Sequence, residues 1–369
     1  MKAKITTKLK NLFSPFFIAS AAIFIIGLAV KLIAENNAGF ADFWQSGIAS
    51  YPRAALAYLT NLLPFSLAEY IILCSPLIIA VFIRLASKKT DTWTSTFRYT
   101  FNLIAVAALI YASFLINFSA GYYTTSLNRR LGLEREKVSA RQLNDTAENL
   151  LDGMDECIGG VEFSYGGASY MPYTQRELNK KLNEAYKKAC DKYTFLSRFS
   201  SSPKPVMLSE PWTYTHIAGV YTFFTGEANV NINFPDYTLP FTSAHEMAHQ
   251  RGIAREEEAN FIAFLVCMES DDDYIRYSAY ASAFEYVASS LNGADGEMYK
   301  KLYISRVPSA FKKEMISYNE FFERYRENTA AKVAGKINDS HLKMHGEEAG
   351  EKSYGLVVDL LVAYYKVKN

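Results

Sequence analysis

The stretch TSAHEMAHQRGIAREEEANFIAFLVCM, residues 242–268, combines residue types that bind and use a metal ion. His245 and His249 are four positions apart, so on a helix both imidazole rings project from one face and can bind the same ion. Glu246 lies alongside, where its carboxylate can take a proton from metal-bound water. Two neutral imidazoles and a carboxylate suit Zn²⁺ in a tetrahedral site with one open position. The spacing therefore predicts a zinc site of the catalytic kind.

An acidic run supplies the third ligand. Gly252 follows His249 by three positions, where a helix commonly ends on a left-handed residue, and the run that starts at Glu256 favours the positive end of a new helix. Glu256 and Asn260 share one face of that helix, so we expect Glu256 to bind the metal and Asn260 to brace a ligand. This predicts a helix over 242–251, a break at Gly252 and a helix over 255–268. The apolar stripe of the second helix is Phe261, Phe264, Leu265 and Met268.

The order HEMAH then EEEAN resembles the HExxH…ExxA(N/D) pattern of the gluzincin clan of zinc metallopeptidases. In that clan the first Glu of the second motif is the third ligand, which implies Glu256. Gluzincins usually have a longer insertion between the motifs, whereas Glu256 comes seven positions after His249. Glu257 therefore stays open as the alternative. The glycine after the second His also echoes the metzincins, but their third His would fall on Arg255, which cannot bind zinc as a cation.

The whole chain further resembles a family of bacterial membrane proteins with three spans and an uncharacterised function, through the segments TFFTGEANVN and PFTSAHEMAHQRGIAREEEAN. The resemblance to metallopeptidases implies that zinc polarises a peptide carbonyl while Glu246 accepts a proton and later delivers it to the leaving amine. The segment 228–233 is either an edge strand that pairs with an extended substrate or a plain core strand. Candidate donors for the oxyanion are His216, Tyr221, Tyr277 and Tyr354.

A non-catalytic alternative is a membrane sensor or scaffold that keeps zinc as a structural element. A closed structural site needs a fourth protein ligand. The candidates are His216, His341 and His345. Zinc bound without any peptide hydrolysis would favour this alternative.

Three apolar segments in the first third of the chain, residues 11–30, 67–83 and 99–123, predict membrane spans. The first is longer than the apolar region of a cleaved signal peptide, so we interpret it as retained. Ser66 and Glu69 have the spacing of a capping box, which makes Glu69 a helix cap at the membrane surface.

Basic residues in short loops predict which ends face the cytoplasm. They are Lys2, Lys4, Lys8 and Lys10 before the first span, and Arg84, Lys88, Lys89 and Arg98 between the second and third. Everything after about residue 123 then lies outside the cytoplasm, although Arg129 and Arg130 run against this assignment. We expect a multi-pass plasma-membrane protein whose partners are the lipid bilayer and a peptide or protein substrate. The net charge of +1 gives no field that would gather nucleic acid.

The fold class predicted is α+β, with a membrane domain of three transmembrane helices at 1–123 and a mainly helical, zincin-like domain with a small sheet at 124–369. Helices are expected at 138–156 and 174–196, and strands at 205–209, 219–225 and 228–234. After Pro240 helical patterning runs to the C-terminus, with interruptions near 292–296 and 335–350. Cys157 and Cys190 either pair outside the cytoplasm or stay unpaired.

Overall fold

A computed structural model describes residues 12–326, 328–344 and 356–368. Most of these residues are helical. The α-helices are α1 Pro15–Asn36, α2 Ala38–Phe43, α3 Ser50–Asn61, α4 Leu67–Leu73, α5 Ser75–Lys89, α6 Trp93–Asn117, α7 Leu127–Arg130, α8 Ala140–Ile158, α9 Gln175–Lys192, α10 Ser209–Thr213, α11 Thr238–Gln250, α12 Glu256–Met268, α13 Asp273–Ala294, α14 Gly296–Ser305, α15 Ser309–Glu323, α16 Thr329–Met344 and α17 Leu356–Lys368. A π-helix spans Trp44–Ile48, and a 3₁₀ helix spans Ser119–Tyr123. The strands are β1 Lys204–Pro205, β2 Gly219–Thr222 and β3 Glu227–Val230.

The apolar first third forms helices of membrane-spanning length. Among the described residues, α1 and α6 with its 3₁₀ extension are long and apolar enough to cross a membrane. The predicted run 67–83 is not one straight helix, because α4 and α5 meet at an angle of 56°. Pro76 lies in the first turn of α5, where it lacks an N–H and clashes with the preceding turn, so it breaks the run there. Counting the bent pair as one span gives up to three candidates.

The N-terminus of α4 is held by the second half of the chain. Ser66 accepts a hydrogen bond from the Glu69 N–H at 3.0 Å, as a cap does. The reciprocal half of the expected capping box is absent, because the Glu69 carboxylate accepts instead from the backbone N–H groups of Met207 and Leu208 at 2.8 Å. Glu227 in turn accepts from the first two N–H groups of α4 at 2.9 Å. Two carboxylates thus bind the start of α4 to the sheet region.

The sheet has three short strands in the order β1-β3-β2, with β3 parallel to β1 and antiparallel to β2. They are shorter than predicted, and Ser209 begins α10 instead of ending a strand. β3 is buried throughout and paired on both sides. The edge-strand interpretation of 228–233 is therefore wrong, since no side of β3 is left for a peptide. The two edge strands are β1 and β2.

The helical core forms around α12 and α13. Phe261, Phe264, Tyr277 and Phe284 are buried there, and α8, α9 and α17 pack around them. The predicted helices at 138–156 and 174–196 correspond to α8 and α9, and the interruption near 292–296 is confirmed between α13 and α14. The interruption at Gly335 is wrong, because α16 runs through it to Met344; residues 345–350 lie outside the described part. All four cysteines are free, so Cys157 and Cys190 do not pair.

Candidate metal centre

The two predicted motif helices and the turn between them are present as α11 and α12. Gly252 has a φ of +95°, and α11 ends there in a Schellman-type turn. The Gly252 N–H donates to the His249 carbonyl at 2.9 Å, and the Ile253 N–H donates to the Ala248 carbonyl at 3.1 Å. The reversal places the first turn of α12 against the last turn of α11. The predicted break and both helices are confirmed.

Gly252 is required for a second reason that its sequence position does not reveal. A Cβ on Gly252 would lie 2.6 Å from Nε2 of Gln45 and 2.7 Å from Nη2 of Arg53. Both side chains come from the segment between the first two apolar helices. The turn of the motif is therefore packed directly against the N-terminal part of the chain.

His245, His249 and Glu256 come together in the structure. One potential ligand atom from each lies within 4.8 Å of the others. Nε2 of His245 lies 3.4 Å from Oε2 of Glu256, and Nε2 of His249 lies 3.4 Å from Oε1. Two ligands about 2.1 Å from a tetrahedral zinc ion are themselves separated by about 3.4 Å. The donor set and its spacing thus fit a zinc ion.

The ring of His249 is oriented by the turn that follows it. Its Nδ1–H donates to the carbonyl oxygen of Ile253 at 2.7 Å, which leaves Nε2 directed at Glu256. Phe118 packs edge-on against the same ring at 6.1 Å. On the other side, Nδ1 of His245 and Nδ2 of Asn260 are buried and make no hydrogen bond. A hydrogen bond to the outer nitrogen of a metal-binding imidazole fixes its orientation, and His249 has one from the chain itself.

The three charged groups of the site perturb one another. Burial alone would lower the pKa of His249, but the charge and hydrogen bond of Glu256, the charge of Glu246 and the hydrogen bond to Ile253 together outweigh it and raise the pKa to about 9. Burial alone would raise the pKa of Glu256, but the two imidazoles hold the pKa well below its usual range. Burial raises the pKa of Glu246 to about 7 against the attraction of both histidines. A metal ion would therefore displace a proton from His249 when it binds.

Glu246 lies at the wall of a cavity of about 620 Å³ that also exposes His245, Glu256 and Asn260. Its side chain packs against the edge strand β2, at Gly219. A Cβ added to Gly219 would lie only 2.6 Å from Oε1 of Glu246. Glu246 is not part of the three-residue ligand group. Its Oε2 is buried without a hydrogen-bond partner. The carboxylate thus occupies the space between the candidate metal site and β2.

Of the four oxyanion candidates, His216 lines this cavity and Tyr221 and Tyr277 do not. His216 has a φ of +59°, which a non-glycine residue rarely adopts. Its Nε2 lies 2.8 Å from the carbonyl oxygen of Tyr325, and it does not join the ligand group. Tyr354 and His345 lie outside the described residues, as does the side chain of His341. Two further residues of the cavity, Tyr286 and Tyr318, carry no signal in the sequence. Only the packing of α13 and α15 brings them there.

The neighbouring acidic residues have other partners. Glu257 is buried away from the ligand group, and burial raises its pKa to about 7. Glu258 accepts hydrogen bonds at 2.7 Å from the Leu127 N–H and from the Arg255 guanidinium. Arg255 also donates to the carbonyl oxygens of Tyr122 and Thr124. Arg255 and Glu258 thus hold the start of α12 against the chain that follows α6.

Comparison with protein families gives one match, over residues 44–362, to a family described as "Protein of unknown function (DUF3810)". The chain belongs to this family. Searches of curated proteins and of solved structures gave no match. The family match begins with the π-helix at Trp44 and ends in α17, so it contains both the candidate ligand group and the segment that carries Arg53.

Proposed function

We propose that the chain is a membrane-anchored zinc metallopeptidase with a gluzincin-like ligand set. The observation that carries the proposal is that His245, His249 and Glu256 converge. His245 and Glu256 line the same cavity as Glu246, which is outside the ligand group. Helices α1, α6 and the bent pair α4 and α5 would form a three-span anchor. By the distribution of basic loops, residues 124–369 would lie outside the cytoplasm.

Zinc would supply a Lewis acid that polarises the scissile carbonyl and lowers the pKa of water. His245, His249 and Glu256 would hold it. Glu246 would accept a proton on its carboxylate and pass that proton to the leaving amine, and its raised pKa of about 7 suits both transfers near neutral pH. His216 or one of the cavity tyrosines would donate a hydrogen bond to the developing oxyanion.

The cavity favours an extended internal peptide segment as substrate. The edge strand β2 forms one wall through Gly219 and Val220, and a peptide could pair with its open side by main-chain hydrogen bonds. Apart from the residues already assigned to the metal site, the described lining is neutral and largely apolar. It includes Ile217, Phe234, Phe241, Tyr286 and Tyr318. No described lysine or arginine lines it to bind a terminal carboxylate, which favours cleavage beside an apolar side chain within a chain.

The proposal is tested by metal content and turnover in two variants of the full chain in lipid nanodiscs. We expect the native chain to carry zinc and to cleave unfolded proteins. His245→Ala should lose the metal, because two ligands remain. Glu246→Gln should keep the metal and lose cleavage, since the ligands remain but the base is gone. Background zinc in the native chain would contradict the metal site, and full cleavage by Glu246→Gln would contradict the mechanism.

The structural-zinc alternative requires a fourth protein ligand. Among the described residues the ligand group has three members, and the one described histidine proposed as a fourth, His216, is outside it. An open fourth position is typical of catalytic zinc. Stoichiometric zinc in the native chain without cleavage of any unfolded protein would favour the sensor or scaffold instead.

A further inference from the structure

The segment between the first two apolar helices has an unusual distribution of polarity. Residues 44–62 contain a single charged residue, Arg53, and that residue is fully buried. Apart from Ser46, the exposed residues are apolar or aromatic, and most of them follow a helical spacing of three and four. They are Ile48, Tyr51, Ala55, Tyr58, Leu59 and Leu62. The exposed fraction is 77% for Tyr51 and 80% for Leu62. A helix at a water-exposed surface has the opposite arrangement, with its charges outward.

The inward face of the segment binds backbone carbonyls at the ends of other helices. Arg53 donates from Nη1 to the carbonyl of Asn117 at 2.6 Å, at the end of α6. Its Nη2 donates to the carbonyl of Gln45 at 2.6 Å and to that of Arg251 at 3.3 Å, at the end of α11. Among the described residues no carboxylate pairs with Arg53. The partial negative charge at the C-terminal ends of helices stabilises a cation in this position.

Gln45 reinforces the same contact, because its Nε2 donates to the carbonyl of Gly252 at 2.8 Å. The end of the helix that carries His245 and His249 is thus bound by two side chains of one segment. That segment follows α2, which connects it to the end of α1, and it finishes shortly before α4. The end of α6 meets it through Arg53. The segment therefore lies at the end of the apolar bundle where α1 and α6 finish and α4 begins.

We propose that residues 44–62 lie flat in the lipid interface and hold the metal site at the membrane surface. The proposal rests on the membrane anchoring in the proposed function. The occupant of the outward face is the bilayer, for two reasons. The segment is joined to apolar helices at both ends, to α1 through residues 37–43 and to α4 through residues 63–66. Its tyrosines and aliphatic residues also form one face without a charge, as in interfacial helices. The substrate would then be a peptide segment close to the membrane, because the metal helix is bound to an element that rests on lipid.

The test uses an environment-sensitive dye on single cysteines of the full chain in nanodiscs of phosphatidylcholine and phosphatidylglycerol. Cys74, the exposed one among the four native cysteines, is first replaced by Ser. The probe positions are Tyr51→Cys and Leu62→Cys. Two further positions are controls. Ile25→Cys lies on the exposed face of α1 and represents the acyl-chain region, and Tyr165→Cys is fully exposed and represents water. Spin-labelled lipids quench the dye, with the label either near the headgroup or near the end of the acyl chain.

We expect headgroup-level labels to quench the dye strongly at Tyr51 and Leu62, chain-end labels to quench it at Ile25, and neither to quench it at Tyr165. If the dye at Tyr51 and Leu62 is no more quenched than at Tyr165, the inference is overturned. Quenching at Ile25 in the same experiment would show that the anchor is still in the membrane. A blue-shifted but unquenched dye at Leu62 would assign this face to a second protein and would also overturn it. Loss of quenching at Ile25 as well would contradict the anchor itself, so the two failures are distinguishable.

Discussion

The imidazole of His249 donates its Nδ1 proton to the carbonyl oxygen of Ile253, four residues further along the chain, at 2.7 Å. Ile253 follows Gly252 directly, so the turn that ends α11 both orients one ligand and brings Glu256 back to meet it. Because this turn reverses the chain within a few residues, the two motifs can be close in the sequence and still meet in space. His249 and Glu256 are seven positions apart and can therefore reach a common ion without the longer insertion found in gluzincins.

Replacing Glu256 should have a different effect from replacing its neighbour Glu257. Glu256→Gln removes a negative ligand that lies 3.4 Å from both histidines, so we expect zinc content to fall to background. Glu257→Gln is a matched change on a residue outside the ligand group and should keep the metal. Elemental analysis of the two purified variants decides between them. Loss of zinc only in Glu257→Gln would place the third ligand one residue later.

Asn260 should tune metal affinity without binding the metal. It lines the cavity with Glu256, and its Nδ2 makes no hydrogen bond, so its amide is available to a ligand of the ion. We expect Asn260→Ala to weaken zinc affinity by roughly 10- to 100-fold, measured by competition with a chromophoric chelator. Asn319→Ala, on the exposed face of α15, is the control and should leave affinity unchanged. If Asn260→Ala binds zinc as tightly as the native chain does, Asn260 only lines the cavity and does not support a ligand.

A methyl group on Gly219 should displace Glu246. The added Cβ would lie 2.6 Å from Oε1 and 2.7 Å from Cγ of Glu246, closer than any stable contact. We expect Gly219→Ala to retain zinc and to lose most peptide cleavage, because the metal ligands are untouched and the base is moved. Gly293→Ala has open space around its Cβ and should behave as the native chain does. Equal turnover in the two variants would mean that the position of Glu246 is not critical.

Arg53 should determine both stability and metal binding. Arg53→Met removes a donor from three carbonyl oxygens, of which only that of Arg251 keeps a second side-chain donor, Ser197. Each buried group left unsatisfied costs roughly 1–3 kcal/mol. We expect a lower apparent unfolding temperature and weaker zinc binding, since Arg53 holds the end of the metal helix. Arg176→Met on the exposed face of α9 should change neither. Reduced stability with native zinc affinity would limit Arg53 to a structural role.

Glu285 should make the fold less stable as the pH rises. Burial raises its pKa to about 7, although it accepts a hydrogen bond from Tyr237 at 2.9 Å. Between about pH 4.5 and 7 the folded chain keeps this proton while the unfolded chain loses it, so the stabilising contribution disappears over that range. Glu285→Gln should flatten this dependence and unfold at a higher temperature than the native chain at pH about 8. If the unfolding temperatures of the native chain and of Glu285→Gln change equally between pH about 5 and about 8, Glu285 is excluded as the cause.

Local signals in the sequence were sufficient for the elements that carry the candidate site. Two local signals predicted α11, its end and α12: the four-residue spacing of His245 and His249, and the position of Gly252. The helical period and the left-handed conformation of a glycine both depend on only a few neighbouring residues. The apolar runs predicted the N-terminal helices for the same reason. Residue type and order also led to the prediction of Glu246 as the base and not a ligand, since it stands between the two histidines in the motif.

Contacts between distant parts of the chain were decided only by the tertiary structure. Strand order made β3 central and β2 an edge, and strand order depends on pairing across many residues. Tyr286 and Tyr318 reached the cavity through helix packing, which no spacing in the sequence encodes. Arg53 looks like an ordinary loop cation in the sequence. Its burial against the end of α11, about 200 residues away along the chain, exists only because the ends of α6 and α11 meet the segment that carries Arg53. Their carbonyl groups, together with that of Gln45, can stabilise a charge that no single segment could.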